Sequence, residues 1–193
     1  MDPVEIPTAR LLLRPVGPDD TDAVHEACQD PAIQRWTTIP SPYLPEHART
    51  FVEQQVPDGW TTSSMFTFGA FLPDGSLAGM LGVTMRSLGT AELGFWATER
   101  HRGNGYITEA TGAVCHWSFT HIPVDRLEWR AEVGNTASRA VALRAGFVME
   151  GTLRAALNNN GVRRDCWLAS LLPSDLALPS TSPYLPARPR AEA

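Results

Sequence analysis

Two glycines stand where a strand-like run gives way to a helix-like run, in the segment ERHRGNGYITEA at residues 99–110. Gly103 and Gly105 are two positions apart, and the run after them has the apolar spacing of a helix. The first backbone N–H groups of a helix lack partners within it, and the helix dipole attracts anions to that end. Because glycine has no Cβ, a phosphate can approach the backbone closely. The segment therefore predicts an anion seat between a strand and a helix.

The composition limits the classes to which the chain can belong. Of its 193 residues, 43% are hydrophobic and 19% are charged, and the net charge is −5. No apolar run approaches the about 18 residues that a spanning helix needs, and MDPVEIPTAR lacks the regions of a signal peptide. An acidic chain is not expected to bind the phosphate backbone of a nucleic acid, because such binding requires a basic surface. We expect one cytoplasmic domain with neither a nucleic-acid nor a membrane partner.

The cysteines and histidines argue against a metal site. Cys28, Cys115 and Cys166 are odd in number and far apart, so they fit neither a disulfide framework nor a CxxC metal motif. The five histidines show no HxxxH or HxH spacing. We expect buried, reduced thiols and no bound metal ion.

Hydrophobic periodicity and turn residues divide the chain into alternating strands and helices. The predicted strands are 10–16, 65–71, 76–86, 91–97, 126–133, 147–154 and 162–172, and the predicted helices are 19–30, 45–56, 105–122 and 135–146. The segment WTTIPSPYLP, which has three prolines, is interpreted as a loop between the first two helices. This order indicates an α+β or α/β domain with one central sheet at residues 1–172. A proline-rich tail is predicted at 173–193, with few apolar side chains that could pack against the domain.

Several enzyme classes use a glycine-rich loop for phosphate, and the spacing separates them. A nucleotide P-loop requires a lysine that is absent here, and a dinucleotide fingerprint requires a third glycine where Thr108 stands. What remains is a pyrophosphate seat made by N–H groups between Gly103 and Ile107, with the Thr108 hydroxyl beside it. A glycine-rich turn without a ligand is the alternative that the loop alone leaves open.

Two motifs together resemble a known family. Arg100-His-Arg-Gly103-Asn-Gly105 resembles the R/Q-x-x-G-x-G/A motif of the GNAT superfamily of acyl-CoA-dependent N-acyltransferases, and NTASRAVALRAGFVMEG at 135–151 resembles the signature of its RimJ/RimL branch. The resemblance covers about residues 8–172. It implies the GNAT fold, in which a mixed, mostly antiparallel sheet is splayed at its middle and flanked by helices. It also implies an acyl-CoA, acetyl-CoA above all, in that opening, with its pyrophosphate on the glycine loop.

The resemblance also implies roles for individual residues in holding acetyl-CoA. The strand AELGFWA would pair with the pantetheine amides through the main chain of Phe95, Trp96 and Ala97. Asn135 would bond the pantetheine arm, and Ser138 would point at the sulfur. The phosphates would be held by the loop and the first helical turn, which comprise Arg100, Arg102, Gly103, Asn104, Gly105, Tyr106, Ile107 and Thr108.

The resemblance suggests few candidates for the acid catalyst and for the base. Many GNAT enzymes have a tyrosine at the position of Ala142, so Ser138 is the candidate that assists the leaving thiolate. Glu92 matches an acidic position that often orders water near the acceptor amine, and a solvated strand carboxylate is its alternative reading. Trp36 and Tyr43, in the proline-broken loop, are predicted to line the acceptor site.

The sequence therefore predicts a metal-independent N-acetyltransferase that acts on a primary amine. The acceptor is a protein N-terminus, a polyamine or another small-molecule amine, and relatives are often homodimers. Two alternatives stay open at this point: an acyltransferase that uses succinyl-CoA, and a catalytically silent module that binds acyl-CoA.

Overall fold

The computed structural model describes residues 1–159 and 161–187. In this part of the chain, eight strands form one sheet in the order β1-β2-β3-β4-β5-β6-β8-β7. The strands are β1 (Ile6–Pro7), β2 (Leu12–Arg14), β3 (Met65–Phe71), β4 (Leu77–Ser87), β5 (Gly89–Ala97), β6 (Val124–Glu132), β7 (Val148–Asn159) and β8 (Val162–Leu171). The α/β fold class and the mostly antiparallel sheet predicted from the sequence are confirmed.

The sheet is splayed between β5 and β6, which are its parallel pair among the described strands. The two strands are paired from Gly89 and Val124 as far as Glu92 and Glu128, and no further. Beyond that point β5 continues along β4 as far as Ala97, whereas β6 continues along β8. A sheet whose middle strands part in this way leaves backbone groups on the inner edges without a strand partner.

Within the described residues, six α-helices flank the sheet: α1 (Thr21–Ala27), α2 (Pro31–Trp36), α3 (Pro45–Thr50), α4 (Val56–Thr62), α5 (Tyr106–His121) and α6 (Thr136–Arg144). On one face, Trp60 of α4 and Trp117 of α5 pack with Phe66 and Phe68 of β3, with ring centroids 5.1 to 5.8 Å apart. This buried aromatic cluster fixes α5 on the sheet, and therefore fixes the loop before α5.

The proline-rich segment is a loop at residues 37–44, as predicted, and a short helix that was not predicted, α2, precedes it. Asp30 caps α2 by accepting from the Ala32 N–H at 2.8 Å, and Pro31 occupies the first helical position. The second predicted helix also continues to Thr62, past Pro57, after a π-helical turn at Phe51–Gln55. In that turn the regular hydrogen-bond ladder is already interrupted, so the missing proline N–H is tolerated.

Part of the predicted tail packs against the sheet. Pro173 is buried, and Leu176 and Leu178 lie on the core. Hydroxyl groups of residues 180–182 and the Thr181 N–H donate to the carboxylate of Asp125, at 2.6 to 3.3 Å. Residues 183–187 are exposed. The remainder of the predicted tail, 188–193, and Asn160 of the predicted NNNG turn lie outside the described residues.

The three cysteines are free and buried, as predicted. Burial raises the pKa of the Cys28 thiol to about 12, so that thiol is protonated at neutral pH. Over the residues that are described, no helix combines the length and the apolar character needed to cross a membrane.

Candidate active site

The freed stretch of β5 forms one wall of a cavity of about 900 Å³, a volume typical of small-molecule sites. The other walls come from α2, from the glycine loop and from α6. The lining consists of Arg10, Ala32, Ile33, Trp36, Phe95, Trp96, Ala97, His101, Arg102, Gly103, Asn104, Gly105, Tyr106, Ile107, Thr108, Glu109, Asn135, Ala137, Ser138, Ala140, Val141 and Arg144. Residues far apart in the sequence, which the two motifs single out separately, thus line one cavity.

The glycine loop presents backbone donors to this cavity. Gly103 and Gly105 have φ of 80° and 78°, in the left-handed region that favours glycine. Gly105 precedes α5, and no side chain caps that helix. The first helical hydrogen bond from this end is donated by Glu109 to the Gly105 carbonyl, at 3.0 Å. The N–H groups of residues 106–108 therefore precede the helical ladder and are available to an anion.

Arg10 lies beside the loop and was not predicted from the sequence. Its guanidinium is 4.7 Å from the centre of the Tyr106 ring and donates to the Asn104 carbonyl at 3.0 Å. The carboxylate of Glu109 pairs with this guanidinium, with 2.6 Å between Arg10 Nε and Glu109 Oε2. Burial opposes ionisation of Glu109, but hydrogen bonds from Thr8 and Arg10 outweigh it and lower its pKa. Arg10 opens a predicted strand, and nothing local in the sequence indicates a contact across about a hundred positions.

The two predicted loop arginines have different positions. Arg102 lines the cavity, where its Nη2 donates to the Ala97 carbonyl at 3.1 Å and pairs with Asp30 at the start of α2. This pair joins α2 to the loop. Arg100 does not line the cavity, and its Nε donates to His101 Nε2 at 3.2 Å.

The start of α6 carries the residues predicted to meet the reacting thioester. Asn135 is the N-cap, and its side-chain oxygen accepts from the Ser138 N–H at 3.2 Å. Ser138 lines the cavity, and its Oγ accepts from Trp129 Nε1 at 3.1 Å. Ala142, one turn later, is completely buried. The serine hydroxyl is therefore the polar side-chain group that this helix face presents near its positive end.

The short helix α2 lines the cavity through Ala32, Ile33 and Trp36, and side-chain pairs with β6 and β7 hold its end. Arg35, at the end of α2, donates to both carboxylate oxygens of Glu132 at 2.9 and 2.7 Å, and its guanidinium lies 4.2 Å from the centre of the Trp36 ring. Asn159 donates to the Arg35 carbonyl at 3.0 Å. The hydrogen bond from Arg35 outweighs burial and lowers the pKa of Glu132. These contacts fix Trp36 on the cavity wall.

Tyr43 does not reach that wall, contrary to the sequence prediction. The side chain is 5% exposed and packs between His25 of α1 and His47 of α3. Burial raises the pKa of its hydroxyl, which is therefore neutral near pH 7. The proline-broken loop folds this ring back into the core, where an aromatic side chain contributes more by packing.

Glu92 lies at the apex of the opening rather than on the cavity wall. Arg86 Nη2 pairs with its carboxylate at 3.0 Å, and Arg130 Nε is 3.9 Å away. Arg130 also pairs with Glu128, two positions earlier on β6, at 2.8 Å. Glu92 thus belongs to a network of alternating charges at the point where the strands part.

No group of three or more His, Cys, Asp or Glu side chains within residues 1–159 and 161–187 is arranged to hold a metal ion.

The comparisons with known proteins agree with this geometry. The family profile described as "Acetyltransferase (GNAT) domain" matches residues 10–148, which is well over half of the chain. The chain belongs to the GNAT acetyltransferases. The sequence prediction of this family is confirmed, and the opening between β5 and β6 is the splay that the family resemblance implied.

The relatives lie in the RimJ/RimL-like branch of the GNAT family. YdaF of Bacillus subtilis (strain 168), assigned provisionally as a ribosomal N-acetyltransferase, is 36% identical over 135 residues, 66% of this chain and 72% of its own. The ribosomal-protein-serine acetyltransferase of Escherichia coli (strain K12) is 40% identical over 67 residues, 35% of this chain and 37% of its own. The structure of RimL, a ribosomal alpha-N-protein acetyltransferase in complex with coenzyme A, shares the fold with a TM-score of 0.78 at 23% identity, over 88% of this chain and 98% of that one.

Proposed function

We propose that this GNAT protein transfers an acetyl group from acetyl-CoA to the α-amine of a protein or peptide N-terminus. The observation that carries the proposal is the single cavity that joins the freed edge of β5, the glycine loop and the Ser138 hydroxyl. Two of its relatives are named as ribosomal acetyltransferases, so we propose a ribosomal-protein N-terminus as the acceptor.

The walls of the cavity suit the three chemical parts of acetyl-CoA. The N–H groups at the start of α5 would bind the pyrophosphate, with the Arg10 guanidinium beside them. The edge of β5 at Phe95, Trp96 and Ala97 would pair with the amides of the pantetheine arm as an added strand. The thioester would then reach the start of α6, near Ser138.

The reaction needs a neutral amine and a stabilised leaving thiolate. The amine nitrogen forms a bond to the acetyl carbon, the C–S bond breaks, and its electron pair stays on sulfur. Ser138 would donate a hydrogen bond to that sulfur, and solvent would supply the proton of the released thiol. The proton lost by the amine would pass to a water molecule ordered by Glu92.

The weak base available favours an α-amine over a lysine side chain. An α-amine, with a pKa of about 7.7 to 8.0, is roughly 10% neutral at pH 7, whereas a lysine amine is well under about 0.1% neutral. A carboxylate acting through one water is sufficient for the first group.

Thiol release from acetyl-CoA tests this function directly. The acceptors are peptides with free N-termini of ribosomal proteins, the same peptides with blocked N-termini and an internal lysine, polyamines and aminoglycosides, each with acetyl-CoA and with succinyl-CoA. We expect thiol release only when a peptide with a free N-terminus is combined with acetyl-CoA. Faster release with a polyamine or with succinyl-CoA would contradict the proposed acceptor or donor. Tight binding of acetyl-CoA with no turnover on any acceptor would indicate a silent binding module.

A further inference from the structure

The indole of Trp129 contacts the hydroxyl of Ser138 from the interior of the domain. Trp129 lies on β6 and is 1% exposed, and its Nε1 donates to Ser138 Oγ at 3.1 Å. An indole N–H can donate a hydrogen bond but cannot accept one. In this contact the serine oxygen must therefore be the acceptor.

This contact determines the direction in which the Ser138 O–H bond points. The backbone N–H of Ser138 is bonded to Asn135, so the Cα and Oγ positions are held from two sides. Within residues 1–159 and 161–187, the Ser138 hydroxyl makes no other hydrogen bond, and its proton has no protein acceptor. The proton cannot point toward the indole N–H, so it is directed to the remaining side of Oγ, on the cavity wall.

We propose that Trp129 is a positioning residue, whose indole N–H orients the Ser138 hydroxyl so that its proton is directed at the sulfur leaving the acetyl group. The inference rests on the proposed acetyl transfer. When the C–S bond breaks, its electron pair moves to sulfur, and the oriented O–H donates a hydrogen bond to the charged sulfur without giving up its proton. A hydrogen bond to a charged acceptor is about twice as strong as one between neutral groups, so the benefit is greatest in the transition state.

Replacement of Trp129 by phenylalanine separates this role from packing, because it keeps a large ring and removes the N–H. Without the indole donor, the hydroxyl can rotate toward backbone carbonyls of the preceding turn, as helical serines commonly do. A fraction of the molecules then has the proton turned away from the cavity. We expect Trp129→Phe to lower kcat about three- to tenfold, which is up to about 1.4 kcal/mol.

A double-mutant cycle tests the proposal on the full-length protein. The variants are Trp129→Phe, Ser138→Ala and the two together, with kcat, the KM for acetyl-CoA and the melting temperature measured for each. We expect Trp129→Phe to lower kcat with the KM for acetyl-CoA unchanged, and to have less than a twofold effect once Ser138 is alanine. Trp117→Phe is the matched control, because Trp117 is 5% exposed and its Nε1 has no partner among the described residues. It should leave kcat unchanged.

Each alternative outcome has a distinct meaning. An equal loss of kcat from Trp129→Phe in both backgrounds would make Trp129 a packing residue and overturn the inference, while acetyl transfer by the wild type would still stand. A wild type that releases no thiol with any acceptor would overturn the proposed function, and the inference with it. If Trp129→Phe does not fold, Trp129→Met, which also lacks a donor and fills the gap flexibly, takes its place in the same cycle.

Discussion

The part of the cavity where we propose that acetyl-CoA binds (the donor side) and the part near α2 where we propose that the amine binds (the acceptor side) are built by different means. The donor side consists of backbone groups from nearly continuous segments, 95–97 and 103–108, which a strand, a glycine turn and a helix start bring into position. The acceptor side depends on side chains, with Arg35 joined to Glu132 across 97 positions and to Asn159 across 124. Its α2 has six residues, too few to hold a position by itself.

This difference indicates what holds each side in position. Anion binding by backbone N–H groups at a helix start requires a glycine turn and a fixed helix position. The aromatic cluster around Trp60 fixes the position of α5 on the sheet. The end of α2 is held instead by side-chain pairs, in which Arg35 contacts Glu132 of β6 and Asn159 of β7. We therefore expect substitutions around α2 to affect binding of the acceptor more than binding of acetyl-CoA.

The largest expected effect separates chemistry from binding on the donor side. Ser138→Ala should lower kcat about ten- to a hundredfold, at or below the low end of the 10² to 10⁴ typical of acid–base groups, because serine only donates a hydrogen bond. The KM for acetyl-CoA should be unchanged, which is typical of an interaction made in the transition state. Steady-state thiol release measures both. A raised KM with unchanged kcat would assign Ser138 to binding.

A smaller effect is expected on the acceptor side. Glu132→Gln weakens the hold on Arg35 and so on Trp36, and should raise the KM for a peptide acceptor about three- to tenfold, or about 0.7 to 1.4 kcal/mol. The affinity for acetyl-CoA should not change. Asp20→Asn is the matched control, because Asp20 is also 8% exposed and also pairs with an arginine through both oxygens. Its partner Arg14 lies over the Phe71 ring, which does not line the cavity, whereas the partner of Glu132 lies over Trp36, which does. If both variants raise the acceptor KM equally, the effect is one of general stability.

A fall in pH should lower the stability of the fold through carboxylates on both the donor side and the acceptor side. The pKa values of Glu109, on the donor side, and Glu132, on the acceptor side, are held below the ordinary 4.5 in the folded protein. Carboxyls with lowered folded pKa values contribute stability above the unfolded pKa and lose it as the pH falls toward the folded pKa. The melting temperature should be level from about pH 8 to about pH 5 and fall below about pH 4.5. Glu109→Gln and Glu132→Gln should each flatten that fall, and three parallel curves would contradict the assignment.

The smallest effect is expected for the tail. Deletion from Pro179 onward removes the donors to Asp125, which are exposed, and leaves Leu176 and Leu178 on the core. We expect a loss of about 0.5 to 1 kcal/mol, or roughly 1 to 4 °C in melting temperature. Acetyl-CoA affinity should be unchanged when measured by calorimetry. A loss of affinity would make the tail part of the donor side.

The same difference explains what the sequence could predict. The strands from residue 65 to 97, the long helix after Gly105 and the last hairpin follow from periodicity and turn residues, and the glycine loop follows from local backbone chemistry. The contact of Arg10 with Glu109 and that of Arg35 with Glu132 join segments about a hundred positions apart, and no local pattern records them. Tyr43 was placed wrongly because a proline-rich loop gives no periodicity from which to choose between core and cavity.

Calorimetric titration of acetyl-CoA would show whether the glycine loop holds its phosphates, as we propose. Gly105→Val would be compared with Gly75→Val, since Gly75 has a similar φ of 82° in a turn where a Cβ would meet nothing within 4 Å. Both variants carry the same backbone strain, so both should lose stability. We expect Gly105→Val to raise the Kd at least tenfold, about 1.4 kcal/mol, and Gly75→Val to keep the wild-type Kd. A folded Gly105→Val protein that binds acetyl-CoA as tightly as the wild type would contradict it.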